Sequence, residues 1–289
     1  MTSTTTPEAG PASPPPHREL GAIRPQRAAS ITAFRSLLLR DVVVLRKNLK
    51  EFIPRTILQP FLLVFVFTYV FPKIGQGVGG GGPAAGDFST SLVAGVIGLS
   101  ILFQGIQSVA LPLVQEFGYT KEIEDRVLAP LPVSLVAFGK ITAGAVQSAI
   151  AALIVFPVAA VVPATPVHLH ISWLVLITLL PLACLTCAAM GLTFGTIFEP
   201  RTIPVLFGIV VLPLTFLGGT YYPWTKLAPV RWLQIGVLLN PLVYLNEGFR
   251  AALTKGDHMS LVAVYLVLIG FCALFTYVGI RNFKKRVIS

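Results

Sequence analysis

Charge is what this chain has least of. Only 12% of its 289 residues are charged and just 12 are acidic, against 54% hydrophobic residues and a mean hydropathy of +0.79. A soluble domain carries about a quarter charged residues, so a soluble fold is excluded and a polytopic membrane protein is expected. Cysteine is scarce as well: Cys184, Cys187 and Cys272 all lie in apolar runs, so they build no disulfide framework and mark no redox compartment. Cys184-x-x-Cys187 has the spacing of half a zinc or redox site, but a second ligand pair is missing and the pair lies in hydrocarbon, where packing is the expected role. No acidic residue falls within the middle of an apolar run. Glu116, Asp87 and Glu199 stand at run ends, and Glu247 and Asp257 between runs, which argues against a self-contained proton-coupled transporter. A nucleotide motif is also missing. Gly75 to Gly86 (GQGVGGGGPAAG) lacks the Lys-Ser/Thr ending, and Gly139-Lys140 is followed by Ile141 where a magnesium-binding hydroxyl is needed. No bound cofactor or metal is expected, His168 and His170 reading as part of a solvated turn.

What is present is a series of apolar stretches, about Ile53 to Phe71, Phe88 to Val114, Val133 to Val162, Ile171 to Phe198, Thr202 to Thr220 and Met259 to Ile280. Each is near the roughly 20 residues that a membrane crossing needs. The fold class expected is therefore an all-α membrane protein with six transmembrane helices. Placing both termini in the cytosol puts 17 of the 22 Lys and Arg residues inside, as the positive-inside rule requires. That sorting accounts for the net charge of +10 without nucleic acid. Residues 1–29, rich in Thr, Pro and Ala, read as a disordered cytosolic tail with no apolar run suited to a signal peptide. From Ile31 onward, Phe34, Leu38, Val42, Leu45, Leu49 and Phe52 recur at helical spacing opposite Arg35, Arg40, Arg46, Lys47 and Lys50. This pattern predicts an amphipathic helix on the cytosolic lipid surface, its cations toward anionic headgroups.

Pro229 to Leu245 tempts a seventh span, but Arg231, Gln234, Asn240 and Pro241 interrupt it, and a seventh crossing would put the basic tail outside. The expected reading is an external re-entrant hairpin before the last span, within the outside segment Gly219 to His258. In the second span Ser100, Gln104, Gln107, Ser108 and Gln115 share one helical face. Substrate contact and hydrogen bonding between helices are both open readings of that face. Small residues every four positions, Gly144, Ser148 and Ala152, then Cys187, Gly191 and Gly195, permit close helix approach.

A charged island, Gln115 to Arg126 (QEFGYTKEIEDR), separates the second and third runs and holds four of the acidic residues. Its charges read as a compact aqueous turn between two spans. Tyr119, Ile123 and Val127 recur every four residues and Pro130 and Pro132 follow, a short amphipathic helix with its stop. The stretch Thr120 to Lys140 (TKEIEDRVLAPLPVSLVAFGK) resembles the loop of ABC-2 type exporter permeases, in which an acidic helix precedes a "PL" turn and a Gly-Lys pair. Asn240-Pro241-Leu242 followed by Tyr244, Glu247 and Arg250-Ala251-Ala252-Leu253 is similar to the segment before their last span. Phe216 to Pro223 (FLGGTYYP) resembles the end of their fifth span, particularly in the drug and nodulation-factor exporter branch.

The resemblance covers Ile31 to Arg286. It implies a transport subunit without its own nucleotide site, a second permease copy (identical or a paralogue), and a separate ABC-type ATPase that binds ATP and magnesium. It also implies that Glu122, Ile123, Glu124, Asp125 and Arg126 couple to that ATPase, together with the interface helix. On this reading Ser100, Gln104 and Gln107 are candidates to line the path, and Tyr221, Tyr222, Asn240, Pro241, Glu247 and Arg250 belong to the external hairpin that guards its exit. The implied activity is export of a lipophilic small molecule, drug or lipid across the bacterial plasma membrane. Permeases for lipid-linked polysaccharide or teichoic-acid-like polymers share this architecture. An intramembrane enzyme acting on lipid headgroups through the island's acids is the reading from another class.

Overall fold

A computed structural model describes residues 26–74, 83–120, 132–163, 167, 169–199, 202, 205 and 207–288. Among these residues all regular structure is helical. The elements are α1 (Gln26–Lys47), α2 (Leu49–Lys73), α3 (Pro83–Gln115), α4 (Val133–Val161) and α5 (Trp173–Ile197). They continue with α6, a π turn at Phe207–Val211 running into Leu212–Phe216, then α7 (Arg231–Gly236), α8 (Pro241–Leu253) and α9 (Leu261–Ile288).

Five of these, α2, α3, α4, α5 and α9, are long and apolar enough to cross a membrane. In the stretch expected as the fifth span, the described helix is Phe207–Phe216, and at about 1.5 Å per residue its ten residues cover about 15 Å, half of a hydrocarbon core. The Pro229 to Leu245 stretch is split into α7, a 3-10 turn at Val237–Leu239 and the start of α8. The breaks fall where the sequence interrupts itself, at Asn240 with extended backbone (φ −95°, ψ 115°) and at Pro241, the first residue of α8.

α1 ends at Lys47 because Asn48 leaves the helical region (φ −98°, ψ 12°). Lys50 and Phe52, expected on the surface helix, therefore belong to the first turns of α2. Pro54, Pro60 and a π turn at Val66–Val70 each interrupt the regular ladder of α2. α3 is the hub, most of its apolar span being buried, and it packs on α5, α4, α8 and α2. α9 lies along α5, and α1 along α4. α8 is buried over its whole length between α3, α5 and α9. In the segment read as a re-entrant hairpin, α7 exposes Trp232 and Ile235, whereas α8 is core.

Close helix approach follows the small residues. A Cβ on Gly191 would stand 2.7 Å from the Gly105 carbonyl oxygen, one on Gly195 3.0 Å from the Ala110 Cα, and one on Gly144 2.3 Å from a Val109 methyl. The bundle has two distinguishable ends. The C-termini of α3, α5 and α9 meet at the end that carries α1, where Arg286 donates to the carbonyls of Thr196 and Phe198 (both 3.2 Å) and Phe117 packs edge-on against Phe283. The N-termini of α3, α5 and α9 meet α8 at the other end.

Candidate functional site

At the basic end, α1, α2, α3 and α4 enclose a cavity of about 720 Å³. Helical spacing puts Gln104, Gln107, Ser108 and Gln115 of α3 on its wall, opposite Arg40, Asp41 and Asn48, Glu51 and Arg55, with Lys140 and Gln147 from α4. A narrower extension of about 30 Å³ runs on between α2 and α3, past Thr56, Gln59 and Pro60 on one side and Leu99, Ser100 and Phe103 on the other. Arg55, Gln104 and Gln107 line both spaces. The polar face read from the sequence thus faces the cavity and the smaller space beside it. Of its members, Gln107 also joins helices, accepting from Arg55 Nη2 at 2.8 Å, while Ser100 donates to Val96 O of its own helix (2.7 Å).

Two further pairs set the charge of the cavity. Arg40 Nη2 stands 3.5 Å from Asp41 Oδ1 on the exposed rim. Lys140 Nζ donates to Glu116 Oε1 across α3 and α4, with both side chains largely buried. Glu116 opens the island, so an aqueous setting was expected. The structure instead continues α3 through a π turn at Glu116–Thr120 and buries the carboxylate against Lys140. Only a paired charge tolerates that burial. Arg286 covers the neighbouring Phe117 ring at 4.8 Å. The remaining coupling residues, Glu122, Ile123, Glu124, Asp125 and Arg126, lie outside the described residues. Of the interface helix, Arg35, Arg40, Arg46 and Lys47 are exposed, as are Val42, Val43 and Val44.

A second polar cluster occupies the opposite end. Arg250 and Glu247 form a salt bridge of 2.9 Å one helical turn apart on α8, each side chain 1% exposed. Arg250 also donates to Ser91 Oγ on α3 (2.8 Å) and to the carbonyls of Gly219 and Thr220. Glu247 accepts from the backbone N–H groups of Trp224 (2.8 Å) and Met259 (2.9 Å). Burial pulls the Arg250 guanidinium below its ordinary value, and the Glu247 carboxylate opposes that fall. Burial also raises the Tyr222 phenol, with Arg250 acting in the other direction. Asn240 caps α8 by accepting from Leu242 N–H (2.9 Å) and donates to Leu214 O (2.7 Å). Tyr221 packs between Phe67 of α2 and Phe216 of α6. All six hairpin residues named from the sequence are therefore in or beside one assembly that ties 214–224 to α8. Ser91 and Asn246, which donates to Gly218 O (2.8 Å) and Thr220 Oγ1 (3.1 Å), are members that the sequence did not indicate. The i,i+3 spacing of Glu247 and Arg250 was the available signal for the pair.

The turn that Arg250 holds requires Gly219, whose φ of +67° places it in the left-handed region. Gly219→Ala is expected to cost about 1 to 2 kcal/mol, read as a lower melting temperature of the purified protein with an unchanged helical circular dichroism spectrum.

Comparison with known proteins agrees with this architecture. The chain is 26% identical over 227 residues to proteins named "Inner membrane transport permease YadH" from Escherichia coli strain K12, E. coli O157:H7 and Shigella flexneri, covering 76% of this chain and 84% of each of them. Residues 32–254 match the ABC-2 type transporter family. With that match spanning most of its length, the chain belongs to the ABC-2 type transporter family and is a multi-pass membrane permease of an ABC transporter.

Proposed function

We propose that this permease is the membrane subunit of an ATP-driven exporter that moves a lipophilic small molecule, drug or lipid out across the bacterial plasma membrane. The observation that carries the reading is the cavity at the basic end. It is lined by four helices, it continues into a groove between α2 and α3, and it lies beside the start of the charged island. By the positive-inside rule that end faces the cytosol, with Thr202 to Thr220 completing six crossings and α7 and α8 entering and leaving from the outer face. A second permease copy supplies the other wall of the path. The exposed apolar side chains of α2 and α6, among them Leu58, Ile209 and Phe216, serve contacts with that copy and with lipid.

A separate ATPase supplies the energy, binding ATP and magnesium and moving the island helix through Glu122, Glu124, Asp125 and Arg126. Co-expression with a cognate ABC-type ATPase is expected to yield a stable complex and ATP-dependent export in proteoliposomes. Combined Glu122→Lys and Asp125→Lys is expected to lower export at least about tenfold with normal membrane insertion, since like charges set against each other at an interface cost several kcal/mol. An ATPase that fails to co-purify, or export untouched by the double reversal, defeats the reading.

A further inference from the structure

We propose that Arg55 and Thr56 form a binding site for the oxyanion head of an amphiphile, at the neck between the cavity and its extension. This deepens the exporter reading and rests on it for the direction in which the ligand then moves.

Charge gives the first reason. Of the nine residues around the extension, Arg55 alone is ionisable. Elsewhere in the cavity Arg40 meets Asp41 and Lys140 meets Glu116, but the hydrogen-bond partner of Arg55 is the neutral carbonyl of Gln107. Among the described residues no ion pair joins it to Glu51, one turn earlier. Arg55 is exposed, so the guanidinium N–H groups not used by Gln107 are open to a ligand that enters from the cavity. Its planar fork of N–H donors matches the oxygens of a phosphate or carboxylate.

Thr56 gives the second, independent reason. It is 9% exposed, lines the extension beside Arg55, and its hydroxyl oxygen has no hydrogen-bond partner. Buried polar groups are almost always satisfied, and this hydroxyl oxygen is sealed from solvent, so a turn of the Thr56 side chain toward the space it lines gives the oxygen a partner on a bound ligand. The carboxamides of Gln59 and Gln104 add further N–H donors.

The surroundings fix the rest of the ligand. Leu58 and Leu62 follow Arg55 at i+3 and i+7, share its helix face and are exposed. Pro60, Leu99 and Phe103 make the deeper wall apolar. A head held at Arg55 therefore continues into an alkyl chain lying along α2 toward the membrane interior.

The test uses the full chain in nanodiscs of zwitterionic lipid, without ATPase, and three probes carrying the same diazirine-bearing dodecyl tail: a phosphate, a maltoside and a trimethylammonium. Saturable cross-linking of the phosphate probe to peptides within 52–63 and 99–111 is expected. Arg55→Gln should reduce it about tenfold, the loss of one charge-assisted contact. Arg55→Lys keeps the charge but loses the fork, so its labelling should fall between that of the native chain and that of Arg55→Gln, and Thr56→Ser should label better than Thr56→Val. The Lys and Ser variants separate a lost site from a lost fold. Equal labelling by trimethylammonium, or no change in Arg55→Gln, overturns the proposal. So does competition by inorganic phosphate as strong as that by unlabelled dodecyl phosphate, because the head alone would then suffice. Failure here leaves the exporter reading intact, since that reading is tested by ATPase association and export.

Discussion

Arg250→Met is expected to leave little folded permease in the membrane. The guanidinium and the Glu247 carboxylate are each 1% exposed, so removing the cation strands an anion away from water, which costs about 3 to 5 kcal/mol. The loss spreads beyond the pair. Arg250 holds Ser91 of α3 and the carbonyls of Gly219 and Thr220, and Glu247 holds the N–H groups ahead of the 3-10 turn at Trp224–Leu227 and ahead of α9. One side chain thus connects three parts of the chain. Thermal unfolding of detergent-purified protein, followed by size-exclusion chromatography, reads the effect. Adding Glu247→Gln removes the stranded charge while keeping a carbonyl acceptor, so it should recover part of the loss. A double variant no more stable than Arg250→Met would show that the ion pair is not the source of the stability.

The long helices were legible because hydrocarbon imposes a length and a composition that the residues display directly. Phe88 to Val114 was expected and Pro83–Gln115 is helical; Ile171 to Phe198 was expected and Trp173–Ile197 is helical. Where the limits differ, the reason is physical. α9 was expected to end near Ile280 and runs to Ile288 through Arg281, Lys284, Lys285 and Arg286, because hydropathy marks where the lipid ends and a helix continues into water. The polar face of α3 was legible through its spacing, which brings Gln104 and Gln107 to one groove whatever that groove binds. Pairs distant in sequence were not. Glu116 and Lys140 are 24 residues apart and Arg250 and Ser91 are 159 apart, and no local pattern encodes such meetings. Thr56 was hidden for the same reason: its missing partner is a property of the packed groove.

Gly105→Val is expected to break the packing of α3 against α5. α3 and α5 share the largest helix contact in the bundle, and at its closest point a Cβ on Gly105 would stand 2.6 Å from Cys187 Cβ, 2.9 Å from the Cys187 carbonyl carbon and 3.1 Å from the Ala188 nitrogen. Two of those three atoms are backbone, so no side-chain rotation relieves the clash and the helices must separate. Overpacking of this kind costs about 3 kcal/mol at the upper end of its usual range. Separation also moves Gln104, the neighbour of Gly105, relative to Arg55 across the groove, so export should fall together with melting temperature. Cys187→Gly in the Gly105→Ala background removes the nearest atom and should return part of the stability, which assigns the thiol-bearing Cys184-x-x-Cys187 segment to packing. Gly270 in α9 is the control, since a Cβ there meets nothing within 4 Å. Gly270→Ala should therefore match or slightly exceed the native melting temperature, Ala being the better helix former by about 1 kcal/mol. A Gly105→Val protein that melts with Gly270→Ala would mean that the two helices are not held at this distance.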